Sequence, residues 1–194
     1  MRFSETFEMT DLGGMKYFLG MEVCQSEGKI VICHKKYIRD VLKKFKMDQC
    51  KAVSTPICPK EKLVKKEEND EVDRKNFRSM IGCLMYITAT RPDVLYSVSL
   101  LSRFLSDPGK QHVIAVKRIL RYLKGTSDYG LLYEKSSKSC FSWTSKKQEL
   151  VALSTAEAEL VAVTAAAKQV IWVRKLLTDL QVQLEGATVV NIDN

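Results

Sequence analysis

A chain of 194 residues with 45% hydrophobic and 28% charged side chains carries enough apolar material for a core, in one large domain or two small ones. Nine glycines and four prolines are too few for a collagen-like or low-complexity chain. No uncharged apolar run reaches the roughly 18 residues of a membrane helix, and Met1-Arg2-Phe3-Ser4-Glu5 lacks the apolar stretch of a secretory signal, so an intracellular setting without a membrane partner is expected. The net charge of +8 is uneven: residues 1–60 carry +4 and 76–138 carry +6, whereas 61–75 and 139–194 carry −1 each. Basic charge confined to two stretches points to a phosphate-facing surface rather than a uniformly basic tail. The cysteines at 24, 33, 50, 58, 83 and 140 form no C-x-x-C pair, and His34 and His112 lie far apart. That pattern argues against zinc and against a disulfide framework, leaving free thiols.

In chain order, Lys16–Gln25 and Lys29–His34 read as two strands around the turn Ser26-Glu27-Gly28. Tyr37, Ile38, Val41, Leu42 and Phe45 then recur at helical spacing, with Lys36, Arg39, Lys43 and Lys46 on the opposite side. Residues 51–76, with Pro56, Pro59 and a mixed-charge run, read as a solvated linker. A largely apolar helix is expected from Phe77 to about Thr90, ending before Pro92, because a residue preceding proline is disfavoured in helix. A second helix follows over Val94–Phe104. A third is capped by Asp107-Pro108 and closed at Gly125; it points Val113, Val116, Ile119, Leu120 and Leu123 inward and Lys110, Lys117, Arg118, Arg121 and Lys124 outward. Gly130–Tyr133, Phe141–Thr144 and Thr188–Ile192 are strand candidates. Ser154-Thr155-Ala156-Glu157 is a capping box opening an alanine-rich helix to about Leu180.

Five stretches together resemble the reverse transcriptase and ribonuclease H region of copia-type retrotransposon Pol polyproteins: MTDLGGMKYFLGMEV, FRSMIGCLMYITATRPDVLYSVSLLSRF, AVKRILRYLKGTSDYGLLY, SWTSKKQELVALSTAEAELVAV and VVNIDN. They occur in the family's order and cover nearly the whole chain. The resemblance implies an α+β fold: a β-hairpin, then a helical thumb- or connection-like region, then an incomplete ribonuclease H-like α/β segment. Residues 1–50 would be the end of the palm with a primer-gripping hairpin and a basic helix, 51–76 a linker, 77–125 the thumb- or connection-like helices, and 126–194 a truncated ribonuclease H-like domain. By the same match Gly82 would let a primer–template duplex approach the helix backbone and Tyr86 would stack against a sugar; helix packing and an ordinary core aromatic are the alternatives for these two.

The expected partners are a primer–template duplex, RNA–DNA or DNA, and the rest of the Pol polyprotein. Lys36, Arg39, Lys43, Lys117, Arg121 and Lys124 are candidates for phosphate contacts. Glu159 and Asp193 match two carboxylates of the ribonuclease H metal site, where Mg2+ or Mn2+ would act in the parent enzyme. The family's Tyr-Val-Asp-Asp motif does not occur in the sequence, and between Tyr133 and Phe141 there is no room for the strand that carries the bridging aspartate. The expectation is therefore a nucleic-acid-binding piece of the parent enzyme, inactive alone and binding no metal, located in a cytoplasmic virus-like particle or in the nucleus. A repurposed non-catalytic binding module and a residual metal-dependent ribonuclease H are the alternatives.

Overall fold

The computed structural model describes residues 13–58, 63, 71–135, 142–182 and 186–190, and the chain divides into two compact units, residues 1–145 and 146–194.

The first unit opens on three short strands: β1 (Tyr17–Phe18), β2 (Met21–Ser26) and β3 (Lys29–Cys33). The expected single strand over Lys16–Gln25 is broken, because Leu19 and Gly20 both take positive φ, 48° and 79°. Phe18 pairs with Met21 across that two-residue loop. Positive φ at both loop positions matches the twist of the flanking strands, and a leucine in the first of them is why the turn is not evident from the sequence. The loop between β2 and β3 falls at Glu27-Gly28, as expected, with Ser26 opposite Lys29.

Helix α1 (Lys35–Lys44) follows directly. Its N-cap residue, His34, makes no side-chain capping bond; instead Glu22 on β2 accepts a hydrogen bond from the Lys36 amide at 2.7 Å. A carboxylate there satisfies an orphan N–H and complements the positive end of the helix. Helix α2 (Arg74–Ile87) starts three residues before the expected Phe77, capped by Asp73, whose side chain accepts from the Asn76 amide at 3.0 Å. A 3-10 turn over Pro92–Val94 leads into α3 (Leu95–Ser102), and α4 spans Lys110–Gly125.

The expected cap of α4 at Asp107-Pro108 sits two residues late. The N-cap residue is Gly109, whose amide donates to His112 Nδ1 at 2.8 Å, and Asp107 forms an ion pair with Arg74 at 3.1 Å. One core joins the four helices: Ile38, Val41 and Leu42 from α1, the stripe Phe77, Met80, Ile81, Leu84 and Ile87 from α2, Val98 and Leu101 from α3, and Val116, Ile119, Leu120 and Leu123 from α4. Each such side chain contributes about 1.5–3 kcal/mol by leaving water.

Two expectations are corrected in this unit. Residues 50–55, expected as the edge of a solvated linker, form a strap along α4. Arg121 Nε donates to the Lys51 carbonyl at 2.7 Å, Lys124 Nζ to the Cys50 carbonyl at 2.6 Å and Arg118 to Thr55 Oγ1 at 2.8 Å. These three side chains are consequently half-buried rather than freely solvated. The strand β4 (Gly130–Glu134) does not open a new domain at residue 126. It pairs antiparallel with β3, completing a sheet of order β1-β2-β3-β4, and Glu134 meets Lys29 at 2.8 Å. A pairing across about a hundred residues of sequence leaves no local mark. Within the remainder of the linker, residues 59–62 and 64–70 lie outside the described residues, and Leu63 packs on the core.

The second unit contains α5 (Thr155–Asp179). Ser154 Oγ accepts from the Glu157 amide at 3.1 Å, as the capping-box pattern requires, while the Glu157 carboxylate accepts from the Leu153 amide at 2.6 Å, one residue earlier than expected. Of the other strand candidates, Ser142–Thr144 and Thr188–Val190 are irregular, and Phe141, Asn191 and Ile192 lie outside the described residues. β-Branched sequence does not by itself hold a strand without a neighbouring ladder. No helix among the described residues is long and apolar enough to cross a membrane.

Candidate nucleic-acid interface

Spacings of three and four residues put Lys36, Arg39 and Lys43 on one exposed face of α1, opposite the buried Ile38, Val41 and Leu42. The Lys36 ammonium lies 5.6 Å from the centre of the Tyr17 ring. Arg39 and Lys43 form no ion pair among the described residues. They are presented outward from a helix anchored by three core side chains, with Asp40 the acidic residue on that helix.

The neighbouring helix carries Gly82 and Tyr86, one turn apart. Gly82 is exposed, and a Cβ there would meet nothing within 4 Å, so no contact among the described residues requires a glycine. Tyr86 is 36% exposed. Its ring stands edge-on to Tyr37 of α1, at 5.0 Å and 78°, and to His34, at 4.8 Å and 63°. Its hydroxyl lies 3.1 Å from where a Cβ on Gly20 would sit. Tyr86 thus contacts the hairpin and α1, and the Tyr37–Tyr86 pair joins α1 to α2.

His34 underlies this junction and is fully buried. Its Nδ1 is 2.6 Å from Thr90 Oγ1, while Nε2 has no hydrogen-bond partner. Burial pushes its pKa below the ordinary 6.5, since an imidazolium would strand a second N–H without an acceptor. Between the folded value and 6.5 the unfolded chain binds the extra proton, so stability rises with pH across that window. Unfolding followed by urea is therefore expected to show stability declining as pH drops below 6.5, and His34→Gln is expected to flatten that decline while lowering stability at neutral pH. An unchanged slope in the variant would remove His34 as its source.

The α4 candidates are of two kinds. Lys117 is exposed, whereas Arg121 and Lys124 spend donors on the strap at residues 50 and 51. A further node, not signalled by the charge pattern, lies at the end of α2. Arg91 is 1% exposed and grips Asp93 with two hydrogen bonds, 2.9 and 2.7 Å, and Thr126 with two more of 2.7 Å, to its carbonyl and its hydroxyl. The rings of Tyr122 and Tyr129 each lie 5.5 Å from the guanidinium, and the Tyr122 hydroxyl donates to Asp93 at 2.8 Å. Burial pushes the Asp93 carboxyl up, but the bonds from Arg91 and then Tyr122 outweigh it and hold it below the ordinary 3.8. The readable signal was an arginine set between two apolar runs, in ITATRPDVLYSV.

In the second unit Glu159 is an exposed residue of α5, and Asp193 lies outside the described residues. Among the described residues no three His, Cys, Asp or Glu side chains gather where they could hold a metal ion. Mg2+ and Mn2+ need several oxygen ligands, of which the two-metal site implied by the resemblance has Glu159 among the described residues.

A family profile described as reverse transcriptase (RNA-dependent DNA polymerase) matches residues 1–59. The Retrovirus-related Pol polyprotein from transposon TNT 1-94 of Nicotiana tabacum is 37% identical over 215 residues, covering 91% of this chain and 16% of the relative. That from transposon RE1 of Arabidopsis thaliana is 31% identical over 221 residues, 98% of this chain and 15% of the relative. The uncharacterized mitochondrial protein AtMg00810 of Arabidopsis thaliana is 30% identical over 199 residues, 87% of this chain and 82% of that protein. No solved structure matches the chain. The chain belongs to the copia-type retrotransposon Pol polyprotein family, and it carries part of the reverse transcriptase region. It spans about a sixth of the length of the Pol polyproteins it matches. The RE1 alignment extends over 221 positions against a chain of 194, so it contains positions where the relative has residues and this chain has none.

Proposed function

We infer that the chain is a duplex-holding part of a retrotransposon reverse transcriptase, binding primer–template through phosphates without catalysing a reaction alone. The observation that carries this reading is a basic face on α1, Lys36, Arg39 and Lys43 without an ion pair among the described residues, together with the open surface at Gly82 and Tyr86 on α2, the two helices being joined by the Tyr37–Tyr86 contact. A glycine that no contact among the described residues requires, together with cations that form no ion pair among the described residues, supports an external polyanion that approaches closely. Such a surface reads shape and charge rather than base sequence. Arg121 and Lys124 contribute less to this reading, because their donors are partly committed to the strap.

On this reading the hairpin and α1 close the palm, the helices that follow act as thumb or connection, and α5 with Glu159 and Asp193 is a remnant of a ribonuclease H-like segment. The seven residues between Tyr133 and Phe141, none of them aspartate, support a missing strand there, which would leave the Mg2+ or Mn2+ cage of the parent enzyme incomplete. The remaining partners are other parts of the Pol polyprotein, in a virus-like particle or the nucleus.

The test separates fold from binding at one residue. Gly82→Ala meets no neighbour, so it is expected to stabilise α2 by up to about 1 kcal/mol. Gly82→Leu is expected to fold normally but to weaken binding of a DNA or RNA–DNA duplex by roughly tenfold, about 1.4 kcal/mol, as read by fluorescence anisotropy. Equal affinity of the parent chain and Gly82→Leu would remove the α2 surface from the interface.

A further inference from the structure

Alongside the strap, α4 presents a groove apart from the α1 and α2 surface that carries the duplex-binding reading. Its floor is apolar, with Ile114 and Met47, and its wall carries Lys117, Arg118 and Arg121. Ile114 is 62% exposed although it sits on a helix whose other large aliphatic side chains are mostly buried. The two arginines are held in place from behind. Arg121 bonds the Lys51 carbonyl through Nε, and Arg118 bonds Thr55 through one terminal nitrogen, so the remaining guanidinium donors are preset. The Nε of Arg118 is buried without a hydrogen-bond partner. Among the described residues no acidic side chain lines the groove.

We propose that this groove docks an acidic peptide segment of a partner protein, one that places an aliphatic side chain on Ile114 and carboxylates against Lys117, Arg118 and Arg121. Charge complementarity sets the sign of the occupant. The apolar floor selects a peptide over a nucleic-acid strand, whose sugar–phosphate chain would leave Ile114 and Met47 without an apolar partner, while carboxylates match the flat fork of arginine. The site lies on a different helix from the α1 face, so it stands or falls independently of duplex binding.

The test uses the full chain and three labelled probes: a short peptide of glutamates with leucines at helical spacing, an all-glutamate peptide of equal length, and a single-stranded oligothymidylate. The leucine–glutamate peptide is expected to bind roughly tenfold more tightly than the all-glutamate peptide, and to slow alkylation of the groove residue Cys58 while leaving that of Cys24, exposed on β2, unchanged. Ile114→Ser and Lys117→Glu, both at exposed positions, are each expected to weaken that peptide roughly tenfold; an unchanged circular dichroism spectrum shows that the fold is intact. The proposal is overturned if the leucine–glutamate peptide does not bind, if it binds no better than the all-glutamate peptide, or if neither variant affects it. It is equally overturned if oligothymidylate alone binds and Lys117→Glu abolishes that binding, since the wall would then be a phosphate surface.

Discussion

Replacing Arg91 by methionine is expected to destabilise the first unit by about 3 kcal/mol, the low end of the cost of breaking a buried ion pair, because Arg91 is buried while Asp93 is partly exposed. The side chain is 1% exposed and gives four hydrogen bonds, two to Asp93 and two to Thr126, which anchors the residue that follows α4. Its removal leaves the Asp93 carboxylate and the Thr126 carbonyl without their donor, and the Tyr122 and Tyr129 rings lose the cation between them. Arg91→Lys retains the charge but lacks the planar fork, so it is expected to fall between the parent and Arg91→Met. Asp93→Asn should cost less than Arg91→Met, because the aspartate side chain is 35% exposed. Urea titration of the three variants checks the order; a cost for Arg91→Met no greater than for Asp93→Asn would contradict the node.

The second large effect is expected at Gly130. A Cβ at this position would collide with the Ile32 carbonyl oxygen and come within 2.7 Å of the Cys33 Cβ. Neither group is the end of a flexible side chain, so the strand itself must move. Gly130→Val should push β4 off β3, separate Glu134 from Lys29, and cost about 3 kcal/mol, the upper part of the range for overpacking. Hydrogen exchange gives the location: amides of β3 and β4 should lose protection while those of α2 and α4 keep theirs. A variant whose sheet stays protected would show that residues 130–134 do not belong to the sheet of the N-terminal hairpin.

Helical periodicity carried the α1 and α4 core faces from sequence to structure with little change, because a stripe such as Ile38, Val41 and Leu42 has one way to bury itself. The Ser154 cap was equally legible, since its partner is only three residues away. The features that escaped depend on distance along the chain. Nothing near Gly130 indicates Ile32 and Cys33 as its neighbours, and nothing near Lys51 indicates Arg121. Charge pattern could nominate Lys36, Arg39, Lys43, Lys117, Arg121 and Lys124, but only coordinates separate cations without an ion pair from those bonded to backbone carbonyls. The Leu19-Gly20 turn escaped for a local reason, a left-handed leucine where glycine or asparagine is usual.

The α1 phosphate surface is tested most directly by the salt dependence of duplex binding, compared between the parent chain and the triple variant Lys36→Gln, Arg39→Gln, Lys43→Gln. Each phosphate contact contributes a slope of about −0.9 to log affinity against log salt on B-form DNA. The triple variant is therefore expected to bind more weakly at low salt, with a slope shallower by about 2.7 if all three residues touch phosphates. A slope unchanged by the triple substitution, or an affinity of the parent chain that does not vary with salt, would contradict the account.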